Sequence, residues 1–282
     1  MGMLLALVSA LSYGLSDFLG GIASRRVGFA RVALLGQLGG LLCTLVAAPL
    51  VSSGTPHVAD LAWGALSGAG TGVAMTFLFR GIARGAMSVV VPVSAVGGVA
   101  LPVLVGAAVL GERPAVLVWG GIALVLPALW LVADGSKGSG PGIGDRRAVA
   151  DGLIASVGIA VQYLALAEAT PASGIWPVTA GRVAAVVLVA VIAARFVVGA
   201  GQARQVRVDL MAGFSGVLAA LALVAYLIAT RTEFLAVAVV LSSLYPIVPV
   251  ALGVWLLKER LRLGQIFGLV AALAATVMIA IA

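Results

Sequence analysis

Two hydrophobic stretches that both end in Glu-Arg decide the fold of this chain. Residues 84–113 read RGAMSVVVPVSAVGGVALPVLVGAAVLGER, and residues 231–260 read RTEFLAVAVVLSSLYPIVPVALGVWLLKER. An offset of 147 residues pairs Arg84 with Arg231, Pro102 with Pro249, Glu112 with Glu259, Gly121 with Gly268 and Ser9 with Ser156. An internal repeat of this length indicates a chain built from two structural halves.

Most of the chain is apolar. Hydrophobic residues make up 62% of the 282 positions and charged residues only 10%, whereas soluble domains carry about 25% charged residues. This composition excludes a water-exposed globular protein and predicts a membrane protein. The 37 glycines suit membrane helices, which associate through close backbone packing. The single cysteine, Cys43, lies in an apolar run and cannot form an internal disulfide.

Arg, Gly and Pro divide the chain into ten apolar runs, each long enough for a hydrocarbon core of about 30 Å. The predicted helices cover residues 3–24, 30–52, 59–79, 86–110, 115–133, 149–169, 174–198, 209–230, 234–256 and 261–281. A Gly- and Ser-rich linker at 134–148 separates a first repeat at 1–133 from a second at 149–282. Because each half has an odd number of helices, the second must enter from the opposite side. The predicted fold is therefore an all-α membrane protein of ten transmembrane helices in two inverted five-helix repeats.

Lys and Arg are concentrated on one side of these predicted helices. Fourteen of the 17 basic residues fall in the loops after helices 1, 3, 5, 7 and 9, and only Arg113 and Arg231 fall on the other side. The positive-inside rule places the basic side in the cytoplasm and both termini outside. We expect a multi-pass protein of a bacterial-type inner (plasma) membrane. The net charge of +7 then reflects this asymmetry and contact with anionic lipid, not nucleic acid.

Four short patterns mark particular helices. They are Tyr13-Gly14 in helix 1, Gly181-Arg182 in helix 7, Gly111-Glu112-Arg113-Pro114 after helix 4 and Lys258-Glu259-Arg260 after helix 9. Together with the duplication, they resemble the drug/metabolite transporter superfamily, specifically its ten-helix EamA-type members, over essentially the whole chain. The resemblance implies an exporter or exchanger of small metabolites or drugs. It also implies a central cavity lined by the first four helices of each half, with peripheral fifth helices. The first half departs from the pattern, because Gln37 stands where the second half has Arg182.

Arg182 is the strongest single candidate for a functional residue. A guanidinium inside a membrane helix costs at least a few kcal/mol unless it faces water, a carboxylate or backbone carbonyls. Thr179 lies one turn before it and Trp176 three residues further back, so one face of helix 7 offers a cation, a hydroxyl and an indole. This face predicts a contact for a substrate carboxylate, phosphate or aromatic group. The alternative is an internal structural ion pair.

Asp17 is the acidic candidate. It shares a stripe of helix 1 with Ser9, Tyr13 and Gly20. It could titrate as a proton-coupling carboxylate, or it could pair with Arg25 or Arg26 at the cytoplasmic end. In the small four-helix multidrug members of the superfamily that the chain resembles, the coupling carboxylate lies one turn earlier, nearer to the position of Tyr13, so the resemblance does not carry proton coupling over to Asp17. We therefore favour a structural or gating role for Asp17, and we expect it to affect coupling or gating rather than substrate recognition.

Three further polar positions complete the predicted substrate site. Helix 6 offers Tyr163 beside Gln162, and helix 9 offers Ser242 and Tyr245 on one stripe that continues to Pro249. The predicted substrate-binding set is thus Tyr13, Gln37, Tyr163, Trp176, Thr179, Arg182, Ser242 and Tyr245. For each residue, the alternative is a tolerated kink or an ordinary interhelical hydrogen bond.

Motifs for catalysis are missing from the sequence. His57 is the single histidine, and there is no paired carboxylate cluster, no Cys/His metal spacing and no Walker-type loop. We therefore expect no enzyme, no metal and no cofactor.

These features predict a secondary transporter that exports or exchanges an amino acid, another metabolite or an amphipathic drug by alternating access. A flippase for a lipid-linked intermediate is the alternative within transport. An integral-membrane sensor or enzyme is the alternative outside it. The expected partners are the small-molecule substrate and membrane lipid. We expect a monomer, because the internal duplication supplies both halves in one chain.

Overall fold

The structure is a computed structural model of the chain. It describes residues 2–52, 55–109, 115–134, 143–197, 205–232, 241–242, 244–259 and 261–280. These residues form ten α-helices and one short 3₁₀ helix, Pro171–Ser173. The α-helices are α1 Gly2–Val27, α2 Phe29–Val51, α3 Val58–Arg84, α4 Met87–Val109, α5 Val116–Asp134, α6 Ile143–Ala167, α7 Trp176–Val197, α8 Val206–Thr232, α9 Ile247–Trp255 and α10 Leu263–Ala280.

Seven of the described helices are long and apolar enough to cross a membrane. The candidate spans lie in α1, α2, α3, α4, α6, α7 and α8, and shorter apolar segments lie in α5 and α10. A helix rises 1.5 Å per residue, so about 20 residues match the hydrocarbon thickness. The chain is therefore a multi-pass membrane protein with an all-helical fold in its described part.

Helices 1–4 and 6–9 form the centre of the bundle. α3 packs on α6 and α7, α8 packs on α1 and α2, and α4 packs on α6 and α9. The remaining two, α5 and α10, pack mainly on each other beside α4. α5 and α10 therefore lie beside the central helices of the described bundle.

Glycine permits the closest of these crossings. A Cβ atom at Gly68 of α3 would overlap the carbonyl oxygen of Gly181 in α7, and a Cβ at Gly216 of α8 would overlap that of Gly36 in α2. Backbones in contact at these points leave no room for a side chain. Packing of this kind stabilises helix pairs in lipid, where the hydrophobic effect between helices is weak.

Two faces of the bundle differ in charge. We call the face with the α1–α2, α3–α4, α7–α8 and α9–α10 connections the basic face. The half of the bundle next to this face is filled by a large apolar core, whose members lie close to these helix ends. The core includes Phe18, Val27, Val32, Leu78, Phe79, Ile82, Met87, Val90, Val91, Ala148 and Val208.

The helix bounds differ most from the sequence-based prediction at the end of α3, at the start of α6 and before α9. α3 ends at Arg84, not at residue 79. α6 begins at Ile143, not at residue 149, because a polar first turn can extend a helix beyond the lipid and hydropathy reports only the apolar part. The predicted helix at 234–256 is interrupted at residues 244–246, before Ile247. Pro246 lacks the N–H for helical hydrogen bonding and clashes with the preceding turn. Residues 233–240 lie outside the described part.

Candidate functional site

All four tyrosines of the chain line one cavity in the half of the bundle remote from the basic face. We call it the tyrosine cavity. Its volume is about 250 Å³, and its lining is Ser9, Tyr13, Gly98, Val99, Pro102, Tyr163, Leu223, Tyr226, Ser242 and Tyr245. Ser9, Pro102, Tyr163 and Tyr226 each lie within two turns of the helix end farthest from the basic face. The cavity and the apolar core therefore occupy opposite halves of the bundle.

The cavity wall contains the break before α9. Tyr245 donates its backbone N–H to Ser242 O at 3.2 Å, and Val248 donates to Tyr245 O at 3.2 Å. These bonds span three residues, not four, so the chain tightens into 3₁₀-like turns at Tyr245. Broken helices of this kind leave backbone polar groups free to face a cavity.

Helix α1 meets this break closely. The Tyr13 and Tyr245 rings lie 5.9 Å apart between centroids at an angle of 51°. A Cβ at Gly14 would overlap the side chain of Val248. The Tyr13-Gly14 pattern thus places an aromatic ring in the cavity next to a point where two helices touch.

Asp17 lies one turn from Tyr13 toward the basic face, and its side chain is buried, with 6% of the residue exposed. Within the described part of the chain, its carboxylate accepts no hydrogen bond and forms no ion pair. The pairing with Arg25 considered from the sequence is not observed, because Arg25 binds Glu259 at 2.9 Å.

Arg182 is also buried, with 7% of the residue exposed, but it does not line the tyrosine cavity. Its Nη1 donates a hydrogen bond of 2.9 Å to Oε1 of Gln37 between α7 and α2. Gly40 leaves the space for the guanidinium, since a Cβ there would lie 3.2 Å from the Arg182 Cζ. Among the described residues, the polar contact of Arg182 is therefore a hydrogen bond to an amide, and the ion pair considered from the sequence is not formed there.

Four predicted substrate-binding residues line the cavity and four do not. Tyr13, Tyr163, Ser242 and Tyr245 line it. The other four, Gln37, Trp176, Thr179 and Arg182, lie on α2 and α7. These helices pack on α8 and α3, while residues of α1, α4, α6, α8 and of the segment before α9 surround the cavity.

The family resemblance implies that α4 and α8 line the cavity, but their particular lining residues were not among the predicted substrate-binding set. Tyr226 and Leu223 of α8 and Gly98, Val99 and Pro102 of α4 complete the lining. A usable signal existed, because tyrosine is enriched at membrane interfaces and Tyr226 lies six residues from the end of α8.

Polar ties join helices at the face remote from the basic face. The carboxylate of Asp60, at the start of α3, accepts hydrogen bonds from the Thr170 backbone N–H at 2.9 Å and the Thr170 hydroxyl at 2.6 Å. The hydroxyl of Ser173 also donates to Asp60. The α3 terminus is thereby fixed to the α6–α7 connection.

Ion pairs join helices at the basic face. Asp151 of α6 accepts from Arg80 at 2.6 Å and from Arg84 at 2.8 Å, both on α3. Arg31 of α2 binds Asp209 of α8 at 2.6 Å. Helices α3 and α6 are thus tied at both faces.

Glu259 forms a denser cluster on the basic face. Its carboxylate accepts from the backbone N–H groups of Met87 and Ser88, both at 3.0 Å, from the Ser88 hydroxyl at 2.7 Å and from Arg25 at 2.9 Å. Burial acts to raise the pKa of Glu259, but the hydrogen bonds from Ser88, Arg25 and Met87 outweigh it and lower the pKa below its usual value. Glu259 is therefore held as a carboxylate.

Among the described residues, no three His, Cys, Asp or Glu side chains come together in a group that could hold a metal ion. Of the cavities in the described residues, the tyrosine cavity combines an aromatic lining with hydroxyl groups.

No family model matches this chain, and no curated protein matches it. Among solved structures, one described as "Crystal structure of protein" resembles the chain with a TM-score of 0.60. The two share 16% sequence identity, and the match covers 98% of this chain and 95% of the other. At this identity the likeness shows the fold alone.

Proposed function

We propose that this chain is a secondary transporter of the drug/metabolite transporter superfamily, of the EamA type, that moves a small organic solute by alternating access. The observation that carries the proposal is the tyrosine cavity. It lies beside a broken helix, between helices of both proposed halves, and packed side chains close its basic-face end. Secondary transporters bind solutes at such sites between their repeats.

Two glycine contacts correspond to each other when the two proposed halves are exchanged, and this correspondence supports an inverted repeat. Aligning α2 with α7 pairs Gly36 with Gly181, and aligning α3 with α8 pairs Gly68 with Gly216. The contact of Gly216 with Gly36 then corresponds to the contact of Gly68 with Gly181. The packing of α1 on α8 corresponds in the same way to that of α6 on α3.

The solute we propose is an aromatic or amphipathic molecule that carries an amine, with an amino acid as the simplest case. Four tyrosine rings offer faces and hydroxyl groups to such a molecule. A cationic amine would lie against the faces of these rings, while Asp17, one turn beyond Tyr13, and Arg182, on α7, lie outside the cavity lining.

Orientation follows from the basic face. If that face is cytoplasmic, as the positive-inside rule predicts, the cavity lies on the outer side and the structure is an outward-facing state. The location that we propose is a bacterial-type inner membrane, and export or exchange is the direction favoured by the family resemblance.

One observation favours a lipid-linked solute as the alternative. A second cavity of about 150 Å³ lies between α4, α10 and the turn at Pro246, and its lining is almost wholly apolar. Pro92, Val96, Ile247 and Leu269 contribute to it. A flippase could hold an acyl or polyprenyl chain there while the head group occupies the tyrosine cavity.

The test uses purified protein in proteoliposomes loaded with an aromatic amino acid or a lipophilic amine. Counterflow of the labelled solute should require protein, and Tyr163→Ala or Tyr226→Ala should reduce it about tenfold, since each removes an aromatic contact. Phe214→Ala, on an apolar groove between α2 and α8 away from the cavity, is the matched control and should transport normally. Absence of counterflow for every solute, together with scrambling of a fluorescent lipid, would replace the transporter by the flippase.

A further inference from the structure

The Glu259 cluster links the first proposed half to the second at one place on the basic face. We call it the basic-face latch, and it consists of Arg25 at the end of α1, the first turn of α4 at Met87 and Ser88, and Glu259 after α9. Arg25 also donates to the carbonyl oxygens of Ile82 and Gly85 at the end of α3. One carboxylate thus gathers the ends of three helices of the first half.

The chemistry of the latch is that of a helix N-terminus bound to an acid. The first N–H groups of a helix have no partner within it, and the helix dipole favours a negative charge at this end. Glu259 supplies that charge to α4 from another part of the chain. Charge-assisted hydrogen bonds of this kind are about twice as strong as neutral ones.

The backbone before Glu259 is held in an uncommon conformation. Lys258 has a φ of 54°, the one positive φ of a non-glycine residue in the described part of the chain. A residue with a Cβ pays a steric cost there, so such positions persist where surrounding contacts determine them. Here the contacts are those of Glu259 with α4, and the turn at Lys258 directs the carboxylate to them.

α4 and the chain around α9 form part of the cavity wall at one end and carry the latch at the other end. α4 contributes Gly98, Val99 and Pro102 to the tyrosine cavity, and the chain before α9 contributes Tyr245. Between the cavity and the latch, the apolar core fills the bundle. A path from the cavity to the basic face therefore requires α4 and α9 to separate where Glu259 now joins them.

We propose that the basic-face latch holds the cavity closed toward the basic face, and that its release accompanies opening on that side. This inference rests on the proposed transport function and names the contact that controls it. Other ion pairs join helices that stay fixed while α4 and α9 move. They are those of Asp151 with Arg80 and Arg84, and of Asp209 with Arg31.

The experiment measures access to the cavity from each side. A Cys43→Ala protein carrying Ser242→Cys places a single thiol on the cavity wall, and a membrane-impermeant thiol reagent is applied to right-side-out and inside-out vesicles. Glu259→Gln should raise the labelling rate from the basic face about tenfold, because it removes the charge from four hydrogen bonds. Ser88→Ala removes only the hydrogen bond of the Ser88 hydroxyl and disturbs the fold less. It should therefore raise the labelling rate by a smaller factor.

The matched control is Asp209→Asn, which removes an acidic tie on the same face without touching α4. It should leave labelling from the basic face at the wild-type rate. Equal, measurable rates in wild type, Glu259→Gln and Ser88→Ala would overturn the latch while leaving alternating access intact. Labelling from the far side alone, in every variant, would contradict alternating access itself and the latch with it.

Discussion

The guanidinium of Arg182 donates a hydrogen bond of 2.9 Å to the side-chain amide of Gln37, and these residues follow Gly181 and Gly36 at corresponding places in α7 and α2. In the inverted repeat that we propose, a residue that contacts its own counterpart lies beside the two-fold axis. Two arginines there would bring like charges together in a low-dielectric interior, whereas glutamine at residue 37 supplies an acceptor to Arg182.

Gln37→Leu should destabilise the protein. It leaves a buried guanidinium without the amide acceptor, and breaking such a contact costs about 2–3 kcal/mol. Thermal unfolding in detergent should show a lower midpoint than wild type. Gln37→Glu is the control, because it keeps an acceptor at the same place and adds an opposite charge. If Leu and Glu variants unfold at the same temperature as wild type, the contact does not stabilise the fold.

Asp17→Asn should change the transport rate more than the binding affinity. The substitution keeps the shape of the buried side chain and removes its charge, which lies one turn from the cavity lining. We expect near-normal solute affinity with a reduced flux or an altered dependence on a pH gradient. Binding and proteoliposome flux are measured side by side over a range of pH. A large loss of affinity with unchanged pH dependence would move Asp17 into the substrate site.

Acid should weaken the basic-face latch. The pKa of Glu259 is lower in the folded protein than its usual value of 4.5, so the carboxylate stabilises the fold above that value and loses this effect as the pH falls through the folded-state pKa. The difference in unfolding midpoint between wild type and Glu259→Gln should therefore be present at neutral pH and disappear in acid. Glu168→Gln, at an exposed position, is the control. A difference that grows on acidification would contradict the assignment.

Topology should follow the basic face. A reporter that is active only outside the cytoplasm should be active when fused after Ala282, because the positive-inside rule places the C-terminus outside. A cysteine placed in the linker between α5 and α6 should resist impermeant reagents added from outside. The reverse pattern would show that the basic face is external.

Sequence patterns predicted the helices well because lipid imposes one requirement on every span. About 20 apolar residues are needed, so the helix bounds of α1 to α8 follow from hydropathy with small differences. The chain is interrupted next to Pro246, whereas α4 is unbroken although it contains Pro92 and Pro102. The sequence offers proline in both places, so the break at Tyr245 could not be predicted from it. Proline alone therefore does not decide whether a membrane helix is interrupted.

The candidate site was predicted only in part because burial and cavity lining are different properties. Arg182 and Gln37 are polar and buried, but their hydrogen bond lies between α2 and α7, and neither residue lines the cavity. Tyr13 and Tyr245 reach the cavity because α1 crosses the break before α9. Contacts between distant helices such as Glu259 with Ser88 depend on tertiary packing, which hydropathy and spacing do not report.

Protection of the cavity thiol by solute tests alternating access through the tyrosine cavity most directly. In the Cys43→Ala, Ser242→Cys protein, the impermeant reagent is applied from each face with and without a solute that shows counterflow. Alternating access predicts labelling from both faces and protection by the solute from both, because one cavity is exposed to each face in turn. Labelling from one face only, or labelling from both that the solute does not slow, would contradict it.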